Sequence, residues 1–206
     1  MNRLYLLFVL FFLASCSLWA QFNLDNSSFE DTPRDATVPT GWYQVKMGST
    51  PDILPGFWDV DTPPSEGNTY IGLITREDGS WESIGQRLPQ AVKKGECYSF
   101  KMDIAKADTY EGYNLPIRIR VWGGKTRYTK DQLIGEVGPV KSTEWASHDF
   151  QFYANQKINY IILEAYYMKG MMIPYKGNVL IDNITTFERC IRAAIDVQKR
   201  DDFLRG

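Results

Sequence analysis

The 206 residues contain one histidine, His148, and three cysteines, Cys16, Cys97 and Cys190. Acid–base, metal and thiol chemistry draw most heavily on those two residue types, so most of their usual motifs are excluded. No Gly-x-Ser-x-Gly elbow, His-Glu-x-x-His pair or Cys-x-x-Cys occurs. Charge of either sign is not in excess: 23 Lys and Arg stand against 25 Asp and Glu, for a formal net charge of -2. That balance points to neither nucleic acid nor an acidic membrane surface as a partner. Helical periodicity is scarce before the end of the chain, and no transmembrane segment is expected in the mature protein. A glycosidase needs only two acids, which can lie far apart in sequence. Nothing supports such a pair here, and no enzyme is expected.

The one long apolar run is at the start. Leu4 to Ala14 (LYLLFVLFFLA) follows Asn2-Arg3 and has the length of an export signal, too short to span a bilayer. Two processing outcomes compete. Cleavage after Ala20 makes residues 1–20 a signal peptide and begins the mature chain at Gln21. Alternatively, Leu13-Ala14-Ser15-Cys16 is a lipobox, and Cys16 carries a lipid anchor. Either outcome leaves Cys97 and Cys190. In an oxidising compartment they are a candidate disulfide, against the alternative of two separate buried thiols. The expected location is the periplasm, outer membrane or cell surface.

What is plentiful is β-forming material. Aromatics make up 14% of the chain and hydrophobic residues 44%, a globular composition. Runs rich in Val, Ile, Tyr, Phe and Trp recur between Gly, Pro, Asn and Asp. They predict strands at Thr69–Ile74, Glu82–Arg87, Cys97–Ala105, Ile117–Trp122, His148–Tyr153, Tyr160–Tyr167 and Val179–Phe187. Ile117 to Trp122 alternates strictly, with Ile117, Ile119 and Val121 on one face and Arg118 and Arg120 on the other. Short strands at this spacing favour a sandwich or jelly roll. The segment 189–206 differs: Ile191, Ala194, Ile195 and Gln198 recur at helical spacing, predicting a short helix or a tail.

Several stretches, in order, resemble a known family. Asn26-Ser27-Ser28-Phe29-Glu30, then Pro39-Thr40-Gly41-Trp42, is similar to the opening of galactose-binding-like jelly rolls, the fold of many carbohydrate-binding modules. Val179-Leu180-Ile181-Asp182-Asn183-Ile184 resembles their closing strand. The stretches between, including Glu66 to Leu73 and Lys94 to Phe100, look like the jelly rolls of envelope proteins in bacteria with type 9 secretion and gliding machinery. The resemblance implies an all-β, galactose-binding-like jelly-roll β-sandwich over residues 21–188. Phe29 would sit in the core, and Trp42 would anchor one end of the sandwich rather than meet a ligand. It also implies a structural calcium held by Glu30 and Asp182, with backbone carbonyls completing the shell. The alternative leaves those two as polar residues at a sheet edge.

Binding would fall to aromatics with polar neighbours, because sugars present flat apolar faces ringed by hydroxyls. Trp58, Trp81, Trp122, Tyr110, Tyr113 and Tyr128 are the candidate platforms, and Arg76, Arg120, Asp59, Asp61 and Glu77 the candidate polar partners. The run Tyr166 to Tyr175, with Met168, Met171 and Met172, is too apolar for a free loop. It either folds onto the sandwich or meets a protein. The expected function is an exported, non-catalytic binding module for glycan. The alternative is an accessory subunit of an outer-membrane assembly that docks on an envelope protein partner.

Overall fold

A computed structural model describes residues 21–190 of the chain. Twelve strands follow one another: β1 (Tyr43–Gln44), β2 (Asp52–Leu54), β3 (Tyr70–Thr75), β4 (Ser83–Val92), β5 (Cys97–Ala105), β6 (Leu115–Pro116), β7 (Arg118–Gly124), β8 (Gln132–Val137), β9 (Ala146–Tyr153), β10 (Ile158–Tyr166), β11 (Gly177–Asp182) and β12 (Glu188–Arg189). No helix occurs among the described residues. The export signal and Cys16 lie outside them, as does the expected C-terminal helix beyond Cys190.

The strands form two sheets. One has the order β1-β4-β10-β7-β8; the other runs β12-β5-β11-β3-β2, with β9 also on β5 and β6 on β11. All pairings are antiparallel except the short β6–β11 contact. Alternation decides which face each strand buries. Ile119 and Val121 of β7, and Ile161, Leu163 and Ala165 of β10, point between the sheets. There they meet Ile71 and Leu73 of β3, Phe100, Met102 and Ile104 of β5, and Val179 and Ile181 of β11. Phe29 and Trp42 join this core, as the resemblance implies, with ring centroids 5.1 Å apart. A second, smaller cluster covers the outer face of the larger sheet: Leu54, Val60, Tyr70, Ile74, Tyr110 and Leu180 among others. That sheet is therefore covered by loops, whereas the five-stranded sheet turns its outer face outward.

The seven expected strands are all present, with ends moved by a few residues. The largest change is at the last one. The expected Val179–Phe187 strand stops at Asp182, because Asn183 takes a left-handed φ of 48° and turns the chain. The short strands β1, β2, β6 and β12 and the half-exposed β8 were not expected. Each is two or three residues long, or polar at alternate positions, and leaves little periodic signal.

Cys97 and Cys190 are bonded, with Cα atoms 5.1 Å apart across a sequence separation of 93 residues. The register of β5 against β12, Ser99 to Glu188 and Tyr98 to Arg189, brings them together. The Cys190 N–H also donates to the Cys97 carbonyl at 3.1 Å. In the chain-entropy account, closing a loop this long stabilises by about 4–5 kcal/mol. Replacing both cysteines by serine is therefore expected to lower the urea unfolding midpoint by the equivalent of that figure, with no change beyond it on adding reductant. A midpoint unchanged by the double substitution would show that the bridge contributes nothing to stability.

Candidate functional site

The outer face of the five-stranded sheet is organised in rows. The register aligns Tyr43 with Gly85, Gly85 with Ile162, Ile162 with Trp122, and Trp122 with Leu133. These residues form an apolar band across all five strands. Gly85 has to be glycine: a Cβ there would stand 2.7 Å from the Tyr43 ring, which lies directly on it. One row further along, Ser83, Glu164, Arg120 and Glu136 align in the same way.

Glu164 is the centre of this face. Its side chain is fully buried, and it is the one acid in a strand that is mostly apolar. Four donors converge on it. Trp81 Nε1 reaches Oε1 at 2.8 Å, and Trp122 Nε1 reaches Oε2 at 2.8 Å. Arg120 makes two contacts to Oε2, Nε at 2.8 Å and Nη2 at 2.6 Å, and Lys130 Nζ bonds Oε1. Burial alone would raise the Glu164 carboxyl, but the hydrogen bond and charge of Lys130, with Arg120 and Trp122, hold it below the ordinary carboxylate value. A carboxylate so held is ionised and engaged on both oxygens, which suits it to positioning tryptophans and not to giving up protons. The Arg120 guanidinium in turn sits 3.3 Å from the centre of the Tyr166 ring, and Trp81 meets Tyr166 edge-on at 4.9 Å.

Beside the band lies an open groove of about 570 Å³. Tyr43, Tyr160, Arg87 and Arg127 line it, with Asp25, Trp42 and Gln86 on the β1–β4 side. Arg127 stacks on the Tyr43 ring at 4.1 Å, and Tyr43 Oη donates to the Arg127 carbonyl at 2.7 Å, which fastens the β7–β8 loop over this end. Tyr43 and Tyr160 meet at 77° with centroids 6.3 Å apart.

No protein-family model matches the chain, and no curated protein matches it. Among solved structures, the K2 cleaved adhesin domain of Lys-gingipain is similar, at 14% identity over 82% of this chain and 97% of that one, with a TM-score of 0.52. So is the CBM22-1 xylan-binding domain of Xyn10C from Paenibacillus barcinonensis, at 15% identity over 84% of this chain and 97% of that one, with a TM-score of 0.50. The fold is an all-β jelly-roll sandwich.

Within this jelly roll the expected platforms separate into two places. Trp81, Trp122 and Arg120 come together around Glu164, and Tyr128 packs edge-on to Tyr43 at 6.2 Å on the same face. Trp58, Tyr113 and Arg76 lie instead on the far side, around a pocket of about 260 Å³ over the larger sheet. Arg76 is committed there to buried Glu82 and to Thr50 Oγ1. Burial pushes Glu82 up to about 7 against the pull of that guanidinium. Tyr110 is no exposed platform: it is buried, and its Oη donates to Asp52 at 2.5 Å. The run Tyr166 to Tyr175 mostly folds back. Tyr167 Oη donates to the Ser80 carbonyl and Tyr175 Oη to the Pro116 carbonyl, both at 2.9 Å, while Met171, Met172 and Ile173 stay exposed. Tyr43, Tyr160, Arg87, Arg127, Glu164 and Lys130 had not been singled out from sequence. A signal was present for two of them, since Tyr160, Ile162, Glu164 and Tyr166 alternate along one strand face with a lone acid among apolar neighbours.

Glu30 and Asp182 do sit at one end of the sandwich, but their oxygens are taken by N–H donors. Asp182 Oδ2 accepts from the Ser65 and Glu66 backbone at 2.9 Å each, and Oδ1 from Asn183 at 2.7 Å. Glu30 Oε1 accepts from the backbone of Asn68 at 2.9 Å and Thr69 at 3.2 Å. Gly67, at φ 64°, passes so close to Glu30 that a Cβ would clash with its carboxylate. The two acids thus clamp the loop 65–69. These donors occupy part of each carboxylate's acceptor capacity, and calcium would have to use the lone pairs they leave. Among the described residues no three His, Cys, Asp or Glu side chains are placed to share a metal.

Two outcomes are expected. A chelator should leave the melting temperature unchanged, while Asp182→Ala, which frees several buried donors, should cost about 2–4 kcal/mol. A chelator-induced fall that Asp182→Ala abolishes would restore the calcium. For Glu164, the folded state binds its proton less readily than the unfolded chain, so its contribution is complete above the ordinary value of 4.5 and fades as pH falls below it. Glu164→Gln should cost about 2–4 kcal/mol at pH 7, somewhat under the figure for a fully buried pair because Arg120 and Lys130 reach solvent. Denaturant titrations at pH 7 and pH 3.5 should show that difference shrinking at the lower pH. A constant difference would separate Glu164 from any electrostatic role.

Proposed function

We propose that the protein is a non-catalytic carbohydrate-binding module, and that glycan lies on the outer face of the five-stranded sheet. The observation that carries this reading is the row of part-exposed side chains Tyr43, Tyr160, Trp122 and Leu133 across the sheet, with Ile162 buried among them, and the open groove beside it. A pyranose ring offers C–H groups to such aromatic surfaces and hydroxyls to the Arg, Gln and carboxylate groups at their edges. Glu164 keeps the tryptophans in fixed orientations, so little ordering remains to be done on binding. Similarity of fold to a xylan-binding domain supports the class of ligand and says nothing of its identity.

Delivery outside the cytoplasm belongs to the same reading. The Cys97–Cys190 bond is of a kind that persists in oxidising compartments, and the apolar run at Leu4 to Ala14 is the signal that would take the chain there. Anchoring through Cys16 and an envelope protein partner remain proposals without a supporting contact among the described residues.

The test is affinity electrophoresis against a panel of soluble polysaccharides, followed by calorimetry on the best ligand. Tyr160→Ala is expected to weaken binding by about 1–3 kcal/mol, as truncation of a contact aromatic does, with the melting temperature nearly kept. Trp58→Ala, on the opposite side, should leave affinity unchanged. No retardation by any polysaccharide, or loss of binding in the Trp58 variant alone, would refute the assignment to this face.

A further inference from the structure

The charge on the proposed binding face is uneven in a way that names a ligand class. Arg118 is matched by Glu136 at 3.1 Å, but Glu164 faces two cations, Arg120 and Lys130. Arg87 and Arg127, at the groove, have no carboxylate within 4 Å among the described residues, and both are exposed. Lys46 likewise has no such partner and stands over the Trp81 ring at 4.5 Å. The chain as a whole carries a formal charge of -2, so this face is positive on a protein that is slightly negative. One acid, Asp25, lines the groove, and it suits a sugar hydroxyl as donor partner.

The geometry adds to the charge. The Arg127 guanidinium lies over the Tyr43 ring, its central carbon 4.1 Å from the ring centre, which holds the cation beside the groove. Arg87 projects from β4 directly opposite Tyr160 of β10. Two guanidinium groups therefore flank two tyrosine rings. A guanidinium offers paired N–H donors that match the two oxygens of a carboxylate or sulfate, which a neutral sugar lacks. An uncompensated positive groove also attracts a polyanion from a distance, and releases it as salt rises.

Resting on the carbohydrate-binding reading, we propose that the groove selects anionic glycans, with Tyr43 and Tyr160 taking the sugar ring and Arg87 and Arg127 taking an oxyanion carried on it. Uronate carboxylates and sulfate esters share this chemistry, and the two are separated by the probes.

The purified mature protein is titrated in parallel with polygalacturonate, a sulfated galactan, and two neutral polysaccharides, xylan and laminarin. Binding to at least one polyanion should exceed binding to both neutral polymers, and whichever polyanion binds identifies the oxyanion. Arg87→Gln and Arg127→Gln should each weaken that binding by about tenfold, the scale of one charge-assisted hydrogen bond. Lys101→Gln, an exposed cation on the other sheet, should leave it unchanged. Should a neutral polymer bind as tightly as the better of the two polyanions, the selectivity is refuted and the carbohydrate reading survives. Failure of all four to bind overturns both. Equal losses in the Arg87 and Lys101 variants reveal attraction by net charge alone, which also defeats the proposal.

Discussion

Everything on the outer face of the five-stranded sheet depends on the pairing of β7 with β10. Both strands have a period of two, and their register sets Val121 beside Leu163 on the inner side and Trp122 beside Ile162 on the outer. Burial of Ile119, Val121, Ile161, Leu163 and Ala165 fixes that register, since a slip of one residue would put Arg120 and Glu164 into the core. The core thus decides where the outward residues stand. The aromatic band is the other side of a hydrophobic constraint.

Buried polar groups then fix what the core leaves loose. Glu164 gathers donors from β7, from the turn before β4 and from the β7–β8 loop, so that segments distant in sequence hold one another in place. Asp182 does the same at the end of β11, where backbone N–H groups of the 65–66 loop close on its carboxylate, and burial raises that carboxyl to about 6. In each case an ionisable group accepts a desolvation cost that its hydrogen bonds offset, and a loop gains a single conformation. The two differ in charge. Glu164 has cations beside it and falls below its ordinary value, whereas Asp182 has only dipoles and rises.

The two faces of the molecule are correspondingly unlike. Loops around Tyr70, Tyr110 and Leu180 cover part of the larger sheet with a second apolar cluster, beside which lies a small pocket. On the five-stranded sheet side chains such as Trp81, Trp122 and Tyr166 cover Glu164 instead, and its outer side holds the groove and the uncompensated arginines. A binding function placed there needs no rearrangement of the sandwich, since its aromatics are already held by neighbours.

The sequence by itself determined the class of fold, the seven principal strands and the candidacy of Cys97 and Cys190, because alternation, turn residues and cysteine count are local properties; the burial of Phe29 and Trp42 came from the resemblance to jelly-roll domains. Of the sequence's candidate residues, Trp81, Trp122 and Arg120 do meet, around Glu164. It did not reveal that Trp58, Tyr113 and Arg76 belong to another face, that Tyr110 is buried, or that Glu30 and Asp182 are held by N–H groups. Only the tertiary structure decided these, because which face of a strand turns inward and which loop closes over a carboxylate are set by strands far away in the chain. Glu164 shows the difference. An acid in an apolar strand is visible in sequence, but the four donors that make it a centre come from Trp81, Arg120, Trp122 and Lys130, and only the folded sheet brings them within reach.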